Sequence, residues 1–372
     1  MKDALFIGLM SGTSIDAIDS ALVRCEGDYV QLLATHQHDI PEPVRARIAE
    51  LSHPGANEIE RMGPLDRELG RLFADASLAL LAEAGERAGH VRAIGSHGQT
   101  VRHRPPSNCA AADSFTLQLG DPNTIAEITG ITTIADFRGR DIAAGGEGAP
   151  LAPAFHAAAF AKEGVNRAIV NIGGIANASL LAGRELRMGF DTGPGNTLLD
   201  HWIRRHRNLD FDRDGHWSSA GTVVDALLQD LLQDPYFART GPRSSGKEAF
   251  NLNWLDSYLA GHPGLQEQDV QATLAELTAT TIARAINSSG VRISEVYICG
   301  GGAHNHDLMQ RLRRQLPLAS LALTTTIGMD PDWVEAVTFA WLAHRTLEGL
   351  AGNAPAVTGA SGARVLGGIY PA

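Results

Sequence analysis

Apolar residues occur along this chain in two patterns, and the two patterns alternate. Short, nearly continuous apolar runs such as FIGLM (6–10), VRAIGS (91–96) and RAIVNI (167–172) are typical of buried strands. Apolar positions spaced by three or four residues indicate helices with one buried face, and residues 43–89 carry the longest such pattern. Strands that alternate with long helices predict an α/β protein.

The same patterns predict further helices over much of 218–232 and 270–288 and a long helix near the C-terminus, which includes DWVEAVTFAWLAHRTLEG. Asp121 and Pro122 follow a strand-like run and are expected to be the N-cap and first residue of a short helix. Several apolar strands run directly into glycines and small hydroxylated residues, which predicts functional turns at the ends of strands.

The chain has 372 residues, which exceeds the roughly 100–200 residues of one domain and predicts two lobes. The segment AAGGEGAPLAP (143–153) is rich in glycine and proline and indicates an irregular loop near a lobe boundary. We therefore expect an N-terminal lobe of residues 1–135 and a C-terminal lobe of residues 136–372.

The formal net charge of −11 predicts a field that repels polyanions, so nucleic acid is excluded as an expected partner. The basic run HWIRRHR (201–207) is interpreted as a solvated helix face.

The three cysteines are far apart and lack C-x-x-C spacing, which predicts neither a disulfide framework nor a zinc site. No apolar run approaches the ~18 residues of a membrane span. We expect a cytoplasmic protein that binds no membrane.

Three glycine-rich turns are the main candidates for function: GLMSGTSIDAID (8–19), NIGGIANAS (171–179) and CGGGAHN (299–305). Backbone N–H groups in such turns form concavities that bind anions, because no side chain blocks the approach. Three turns of this kind in one chain favour phosphate binding more than one turn would.

Other nucleotide, metal and hydrolase motifs fail at specific residues. GPRSSGKE (241–248) approaches a P-loop but has Glu248 where a Ser or Thr hydroxyl must bind magnesium. DFDRDG (210–215) begins like an EF-hand, but Gly221 stands where the bidentate glutamate belongs, so a capped acidic loop is expected. No G-x-S-x-G is present, and a serine hydrolase stays open only because catalytic triads are defined by geometry.

Asp191 lies in GFDTGPGN (189–196), after an apolar strand and before two glycines and a proline. A phosphoryl-transfer enzyme positions phosphates and orients or deprotonates the nucleophile, and a carboxylate held in such a turn suits the second task. The alternative is that Asp191 caps the helix that follows. The residues alone leave both interpretations open.

The order of the three turns, with the first forming strand–turn–strand, resembles the actin, hexokinase and heat-shock-ATPase superfamily. That resemblance implies a two-lobed, actin-like ATPase (ribonuclease H-like) fold with a nucleotide-binding cleft between the lobes. Over essentially the whole chain, the sequence is similar to the anhydro-N-acetylmuramic acid kinase family. The matching blocks are GLMSGTSIDAID, IGSHGQTVRHRP, LQLGDPNTIAEITG, ADFRGRDIAAGGEGAPLAPAFH, NIGGIANAS, GFDTGPGNTLLD, FDRDGHWSSAG, FNLNWL, CGGGAHN and WVEAVTFAWLAHR.

The family resemblance implies a specific reaction. Its members use ATP, Mg²⁺ and water to open the anhydro bridge of 1,6-anhydro-N-acetylmuramic acid, a product of cell-wall turnover, while they phosphorylate O6. The products are N-acetylmuramic acid 6-phosphate and ADP. One departure from the family pattern G-T-S-x-D-G-x-D is Ala17 in place of the second glycine. If that position needs a positive φ, alanine strains the turn by roughly 1 kcal/mol; if it lies in the returning strand, which we favour, alanine costs little.

The resemblance also implies roles for individual residues. Asp191 matches the general base that activates water, and Glu335 matches a sugar-binding glutamate, whose other interpretation is a first-turn acid favoured by the helix dipole. Mg²⁺ is expected through the ATP phosphates, with Asp16 as a candidate ligand. The residues expected to bind ATP are Ser11, Gly12, Thr13, Ser14, Asp16, Asp19, Gly173, Gly174, Gly300, Gly301 and Gly302. The remaining residues expected to bind sugar, because charged or amide groups end the strands there, are Asp136, Arg140, His97 and Gln99.

Two other functions remain as alternatives to this reaction. One is a kinase of the same fold that phosphorylates a free amino sugar without hydrolysis, and the other is a non-catalytic, nucleotide-dependent chaperone or cell-wall sensor. The apolar helix around residues 333–341 could bury against a second copy of the chain as easily as within it, so a homodimer also stays open. With ATP and bound sugar, the two lobes are expected to close.

Overall fold

The computed structural model describes residues 4–12, 15–27, 29–238 and 249–372. The chain divides into two compact units, one of Met1–Ala159 with Trp333–Ala372 and the other of Phe160–Asp332. This division differs from the predicted boundary near residue 135. The physical reason is a long-range strand pair, because residues 368–370 pair with 133–135 and return the end of the chain to the first unit.

The strands, in chain order, are β1 (Ala4–Met10), β2 (Ala17–Glu26), β3 (Tyr29–Asp39), β4 (Val91–Ser96), β5 (Gln99–Arg104), β6 (Phe115–Leu119), β7 (Thr133–Ala135), β8 (Asn166–Ile172), β9 (Ile175–Ala182), β10 (Glu185–Pro194), β11 (Glu295–Cys299), β12 (Ser320–Leu323) and β13 (Gly368–Tyr370). The helices are α1 (Glu42–Leu51), α2 (Glu58–Ala84), α3 (Pro122–Thr129), α4 (Gly139–Ala143), α5 (Ala152–Phe160), α6 (Thr197–Arg207), α7 (His216–Ser219), α8 (Asp225–Leu231), α9 (Leu252–Leu259), α10 (Glu267–Asn287), α11 (His306–Gln315), α12 (Val334–Leu347) and α13 (Pro355–Thr358).

Each unit contains one mixed sheet, which confirms the predicted α/β class. The order in the first unit is β3-β2-β1-β4-β7-β13, and the order in the second is β10-β9-β8-β11-β12. In each sheet, three strands that are consecutive in the chain pair antiparallel: β1, β2 and β3 in the first unit, and β8, β9 and β10 in the second. Two further strands then run parallel to the first of the three. These five strands have the same topology in both units, which the sequence did not reveal as a repeat, and the first sheet adds β13, antiparallel to β7, at its edge.

Two local predictions, the cap of α3 and the solvated basic face of α6, are confirmed. The Asp121 side chain accepts hydrogen bonds from the backbone N–H groups of Asn123 and Thr124, so it caps α3 as expected. The basic face of α6 is solvated, with Arg204 paired to Asp210. Cys25, Cys109 and Cys299 are free thiols. Within the described ranges, no helix has the length and apolar character needed to cross a bilayer.

Helix α12 packs on the first sheet where two glycines lie side by side. Gly8 of β1 pairs with Gly95 of β4. A Cβ atom on Gly8 would overlap with the Ala336 carbonyl and lie 2.7 Å from the Ala340 nitrogen. A Cβ on Gly95 would lie 2.8 Å from the Phe339 carbonyl carbon. The two glycines thus allow the helix backbone to touch the sheet, which brings the first turn of α12 toward the carboxyl ends of β1 and β4.

Buried histidines give the first unit a pH-dependent stability. Burial lowers the pKa of His156 to about 3, and burial together with the charge of Arg138 lowers the pKa of His103 to about 4 and that of His97 well below 6.5. Each group binds a proton more readily in the unfolded chain, so stability is complete above about pH 6.5 and falls as the pH drops below it. Below that pH, the free energy of unfolding falls by about 1.4 kcal/mol per pH unit for each such histidine.

We therefore expect the free energy of unfolding, measured by urea titration, to fall between pH 7.5 and pH 5.5. The control is His156→Phe, which removes one of these groups at a position that already contacts Phe155. The dependence of its unfolding free energy on pH should be weaker than that of the wild type, by the contribution of about one proton. A wild-type stability that is flat over this range would contradict the prediction.

Candidate functional site

In the first unit, the candidate residues follow the carboxyl ends of three parallel strands. Ser11 comes directly after β1, His97 after β4 and Asp136 after β7. The carboxyl ends of neighbouring parallel strands lie at one edge of a sheet, and ligands of open α/β sheets bind outside that edge. The topology therefore gathers these three residues at one edge of the sheet.

Ser11 and Gln99 contact each other inside the unit. The Ser11 hydroxyl lies 2.7 Å from Gln99 Oε1 and 3.2 Å from the carbonyl oxygen of Ala17. Both side chains are only 2% exposed. The hydroxyl is thus used to fix the end of β1 to β5, and its role is to hold the first turn in place.

The first turn leads back into β2. The Ile15 N–H donates to the Gly12 carbonyl at 3.3 Å, and Ile15 has a φ of 61°, which is a strained value for a β-branched residue. Thr13 and Ser14 lie outside the described residues. Asp16 is exposed at the end of the turn, whereas the half-buried Asp19 lies opposite Met10, at the carboxyl end of β1.

The departure from the family pattern at Ala17 carries no strain. Ala17 is the first residue of β2 and pairs with Asp39 of β3. Its φ is not positive, whereas Ile15, among the described residues of this turn, has a positive φ. The returning-strand interpretation of this position is therefore the correct one.

His97 is held as a neutral imidazole that orients an arginine. Its Nδ1–H donates to the Gly98 carbonyl at 2.7 Å, so Nε2 accepts from the Arg138 guanidinium, with Nε at 3.0 Å. Arg138 also donates to the Gly148 carbonyl at 2.8 Å. Because burial and the neighbouring guanidinium lower the pKa of His97 well below its usual value, this arrangement persists at neutral pH.

Glu335 lies in the first turn of α12, where the helix dipole favours an acid. Phe339 lies one turn further along the same face, and its ring contacts the His97 ring with centroids 4.7 Å apart. Helix α12 thus carries a half-buried carboxyl group on the face that packs against the strand-end residue His97.

Asp136 and Arg140 flank the start of α4. Asp136 has a φ of 57° and accepts a hydrogen bond from the Gly139 N–H at 3.1 Å. Partial burial of its carboxyl group raises its pKa, although the residue as a whole is exposed. Arg140 lines a shallow pocket of about 290 Å³ with Ser361 and Arg364. The structure thus groups Arg140 with the C-terminal segment.

In the second unit, a polar row crosses the sheet. Asp191 of β10 lies opposite Asn177 of β9, which lies opposite Asn171 of β8. Residues directly opposite in antiparallel strands carry their side chains on the same face. Val170 and Phe190, one position away, belong to the apolar core of the other face. The polar row is therefore turned away from that core.

Asp191 is held inside a strand and is not a helix cap. Helix α6 begins at Thr197 with Asn196 in the N-cap position, so the capping interpretation of Asp191 is wrong. Asp191 is 8% exposed, its carbonyl accepts a hydrogen bond from the Tyr236 hydroxyl at 2.9 Å, and a β-bulge lies between it and Gly193. Bulges of this kind are common beside active sites, because they re-aim a side chain.

The second glycine turn, Gly173 and Gly174, connects β8 to β9. Its carbonyls accept hydrogen bonds from the N–H groups of Gly195, Asn196 and Thr197 at 2.8–3.1 Å. A Cβ on Gly195 would overlap with the Gly173 carbonyl, so the close approach requires glycine. The turn is therefore fixed to the segment that follows Asp191.

The third glycine turn follows β11. Gly300 has a φ of 77°, and a Cβ there would lie 2.9 Å from the Ile172 carbonyl, so this turn packs on the end of β8. Asn305 then caps α11 by accepting from the Leu308 N–H at 2.9 Å. Beside the turn lies a shallow pocket of about 360 Å³, whose lining includes His304, Met309 and Leu323.

The acidic loop DFDRDG is structural. The Asp212 carboxylate accepts hydrogen bonds from the N–H groups of Trp217 and Ser218 at 2.9 and 2.8 Å, so it satisfies backbone donors in the first turn of α7, whose N-cap residue is Gly215. The P-loop-like segment 241–248 lies outside the described residues.

Sequence reasoning missed four residues that the structure links to the candidate site: Asn171, Asn177, Arg138 and Tyr236. The two asparagines stand in the NIGGIANAS motif, and the signal that could have found them was alternation with the apolar positions of the same strands. Arg138 lies two positions before the predicted Arg140. Nothing in the sequence indicated Tyr236, because its contact with Asp191 joins distant segments.

Comparisons with known proteins identify the family of the chain. A family model described as anhydro-N-acetylmuramic acid kinase matches residues 4–372. The chain is 49% identical to the anhydro-N-acetylmuramic acid kinase of Pseudomonas fluorescens (strain Pf0-1) over 99% of both chains, and 50% identical to that of Shewanella halifaxensis (strain HAW-EB4) over 100% of both. The solved structure of component A of (R)-2-hydroxyglutaryl-CoA dehydratase from Acidaminococcus fermentans matches with 11% identity and a TM-score of 0.48, over 91% of this chain and 96% of that one.

The family model and the relatives are those of a kinase, so the predicted enzyme class, a phosphotransferase, is confirmed. The match extends over nearly the whole chain, and about half of the residues are identical to those of full-length relatives. The chain belongs to the anhydro-N-acetylmuramic acid kinase family.

Proposed function

We propose that this chain is an ATP-dependent kinase that hydrolyses the anhydro bridge of 1,6-anhydro-N-acetylmuramic acid and phosphorylates O6. The products are N-acetylmuramic acid 6-phosphate and ADP. The observation that carries the proposal is Asp191, a carboxylate fixed within a bulged strand, in a polar row, and tied through Gly195 to the second glycine turn. A general base needs this kind of restraint, because it must meet its proton with little freedom to reorient.

In the proposed reaction, the Asp191 carboxylate takes one proton from water as the water oxygen forms a bond to C1 of the sugar. The C1–O6 bond breaks, and its electron pair stays on O6. O6 then attacks the γ-phosphorus of ATP, and ADP leaves with the electrons of the broken P–O bond. Asp191 releases its proton to solvent when the products leave, so water, sugar and ATP yield phosphorylated sugar, ADP and a proton.

The glycine turns supply the nucleotide-binding part of the proposal. In the first unit, Gly12 and the exposed Asp16 would bind the phosphates of ATP, and Asp19 lies at the carboxyl end of β1. In the second unit, Gly173 and Gly174 would contact the phosphates. The turn beginning at Gly300, with the pocket of about 360 Å³ beside it, would take adenosine.

Magnesium fits this chain as an ion held chiefly by the ATP phosphates. In the parts of the chain that the structure describes, no group of three or more His, Cys, Asp or Glu side chains could hold a metal. Mg²⁺ in kinases usually needs only one or two carboxylates beside substrate phosphates and water, and Asp16 fits that requirement. When bound, the ion neutralises the charge of the phosphates.

For the sugar, we propose contacts from Glu335, His97, Gln99, Asp136 and Arg140 in the first unit. His97 and Arg138 form one hydrogen-bonded pair. We therefore add Arg138 to these residues, with its guanidinium as the cation that would pair with the carboxylate of the sugar. Because the reaction consumes ATP and a turnover product of the cell wall, we place it in cytoplasmic recycling of peptidoglycan sugars. A homodimer is compatible with the proposal, although α12 is largely buried within the first unit.

The test is an ADP-release assay with magnesium, ATP and one of three sugars: the anhydro sugar, N-acetylmuramic acid or N-acetylglucosamine. Release that requires the anhydro sugar is expected. Release with a free hexosamine alone would favour the rival kinase without hydrolysis, and ATP binding with no sugar-dependent release would favour a chaperone or sensor.

Tyr236 provides a prediction about how Asp191 is held. The Tyr236→Phe change removes the 2.9 Å hydrogen bond to the Asp191 carbonyl and leaves the ring in its buried aromatic cluster. The loss of such a bond corresponds to about a 2- to 10-fold effect, and we expect it in kcat with little change in the KM for ATP. Tyr258→Phe, whose hydroxyl bonds to Asp234 at 3.3 Å, is the matched control. Equal kcat values for the two variants would contradict this role.

A further inference from the structure

We infer that Asn177 is a water-positioning residue. In this role, its side-chain carbonyl accepts the second hydrogen bond of the water that Asp191 deprotonates. The inference rests on the proposed function and deepens it, because it identifies how a single water would be aimed at C1. It depends on three observations: the register of β9 and β10, the burial of Asn177 Oδ1, and the bonding needs of a nucleophilic water.

The register places the two side chains together. Asp191 and Asn177 are directly opposite in the antiparallel pair of β10 and β9. In such pairs the Cβ atoms lie about 4.5–5.5 Å apart on one face of the sheet. One water molecule can therefore contact both a carboxylate and an amide at these positions. The bulge that follows Asp191 interrupts the regular pairing, which resumes at Gly193 opposite Ala176.

Asn177 Oδ1 is buried and, among the residues that the structure describes, has no hydrogen-bond partner. A buried polar atom without a donor costs free energy, and native proteins keep few of them. An asparagine in an ordinary structural role would use its carbonyl, as Asn305 and Asn251 do when they cap α11 and α9. The contrast indicates that Asn177 Oδ1 faces a donor that arrives with the substrates.

Water supplies that donor. A water molecule has two O–H groups, and a general base takes only one of them. If the other O–H donates to a fixed acceptor, the orientation of the water is set, and one of its two lone pairs can point toward the carbon under attack. An amide carbonyl suits this second position, because it does not titrate and does not compete with Asp191 for the proton. A second carboxylate there would raise the pKa of the base by like-charge repulsion.

Atoms and electrons balance as in the proposed reaction. Asn177 forms and breaks no covalent bond, and the proton on its side of the water stays on the new C1 hydroxyl. Its contribution is therefore expected in kcat and not in the binding of either substrate.

The experiment compares wild type, Asn177→Ala, Asn177→Asp and the matched control Asn166→Ala in ADP release with the anhydro sugar. Asn166 lies at the amino end of β8 in the same sheet and donates to the Arg292 carbonyl at 3.0 Å. We expect Asn177→Ala to lower kcat by roughly 10- to 100-fold, with KM values for sugar and ATP within about threefold of wild type. Asn166→Ala should keep the wild-type kcat.

Asn177→Asp tests a property that a merely structural role would not change. It keeps the shape of the side chain but adds a charge opposite Asp191, so the pKa of the base should rise. The acidic limb of the kcat–pH profile, where the base becomes protonated, should therefore move to higher pH. This variant also serves if Asn177→Ala fails to fold.

Wild-type kcat in Asn177→Ala, together with an unshifted profile in Asn177→Asp, would overturn the inference while the proposed function stands. A wild-type enzyme with no ADP release on the anhydro sugar would instead overturn the proposed function, and the inference with it. The two failures are thus distinguished by the wild-type reaction alone.

Discussion

The Asp191→Asn enzyme is expected to turn over the anhydro sugar roughly 10²–10⁴-fold more slowly than wild type, which is the usual contribution of a general base. Asparagine keeps the size of the side chain but cannot take a proton from water. The strand should persist, because the hydrogen bond from Tyr236 involves the backbone of residue 191. Steady-state ADP release and the affinity for ATP are measured on the same preparation.

Asp256→Asn is the matched control for this change, since Asp256 lies on the surface of the same unit in an ion pair with Arg205 at 2.6 Å. Surface pairs of this kind contribute little, so the control should keep the wild-type rate. ATP affinity should be unchanged in both variants. Wild-type turnover by Asp191→Asn would remove Asp191 from the mechanism.

The second large effect is expected at Gly95. An added Cβ would lie 2.8 Å from the Phe339 carbonyl carbon, where backbone meets backbone and no side chain can rotate away. Overpacking of a core costs about 1–3 kcal/mol or more. We expect Gly95→Ala to lower the free energy of unfolding by an amount at or above the upper end of this range. The displacement of α12 should also weaken sugar binding, because Glu335, for which we propose a sugar contact, lies on that helix.

Gly89→Ala is the control for Gly95→Ala. Gly89 is exposed, has no atom within 4 Å of an added Cβ, and is not among the glycines with positive φ. Alanine at such a position should leave stability unchanged or raise it slightly. The free energy of unfolding is measured by urea titration at pH 7.5. Equal stability of the two variants would show that α12 does not pack on the sheet as described.

Periodicity alone predicted most of the strands and long helices, because apolar spacing reflects burial directly. It could not predict where the first unit ends, since that depends on β13 pairing with β7 across most of the chain. The return of the C-terminal segment places Glu335 and α12 in the same unit as the first glycine turn. Contacts between distant segments leave little trace in local composition.

The candidate site shows the same limit at the level of single residues. Asp191 could be singled out, but its place inside a bulged strand excluded the helix-cap alternative only once the register was known. Arg140 was predicted from its position after a strand, whereas Arg138 was not considered and is linked to the site only by its hydrogen bond to His97. Asn177 was not predicted at all, because its importance comes from the strand that lies opposite.

The most direct test of the account is a single reaction in ¹⁸O-labelled water. The protein is mixed with magnesium, ATP and the anhydro sugar, the reaction is stopped promptly, and mass spectrometry locates the label in the phosphorylated product. Unlabelled product kept in the same water for the same time corrects for exchange at C1. The account predicts one solvent oxygen on C1 and none in the phosphate. Phosphorylated sugar without solvent oxygen at C1 would contradict the role of Asp191 and the hydrolytic mechanism together.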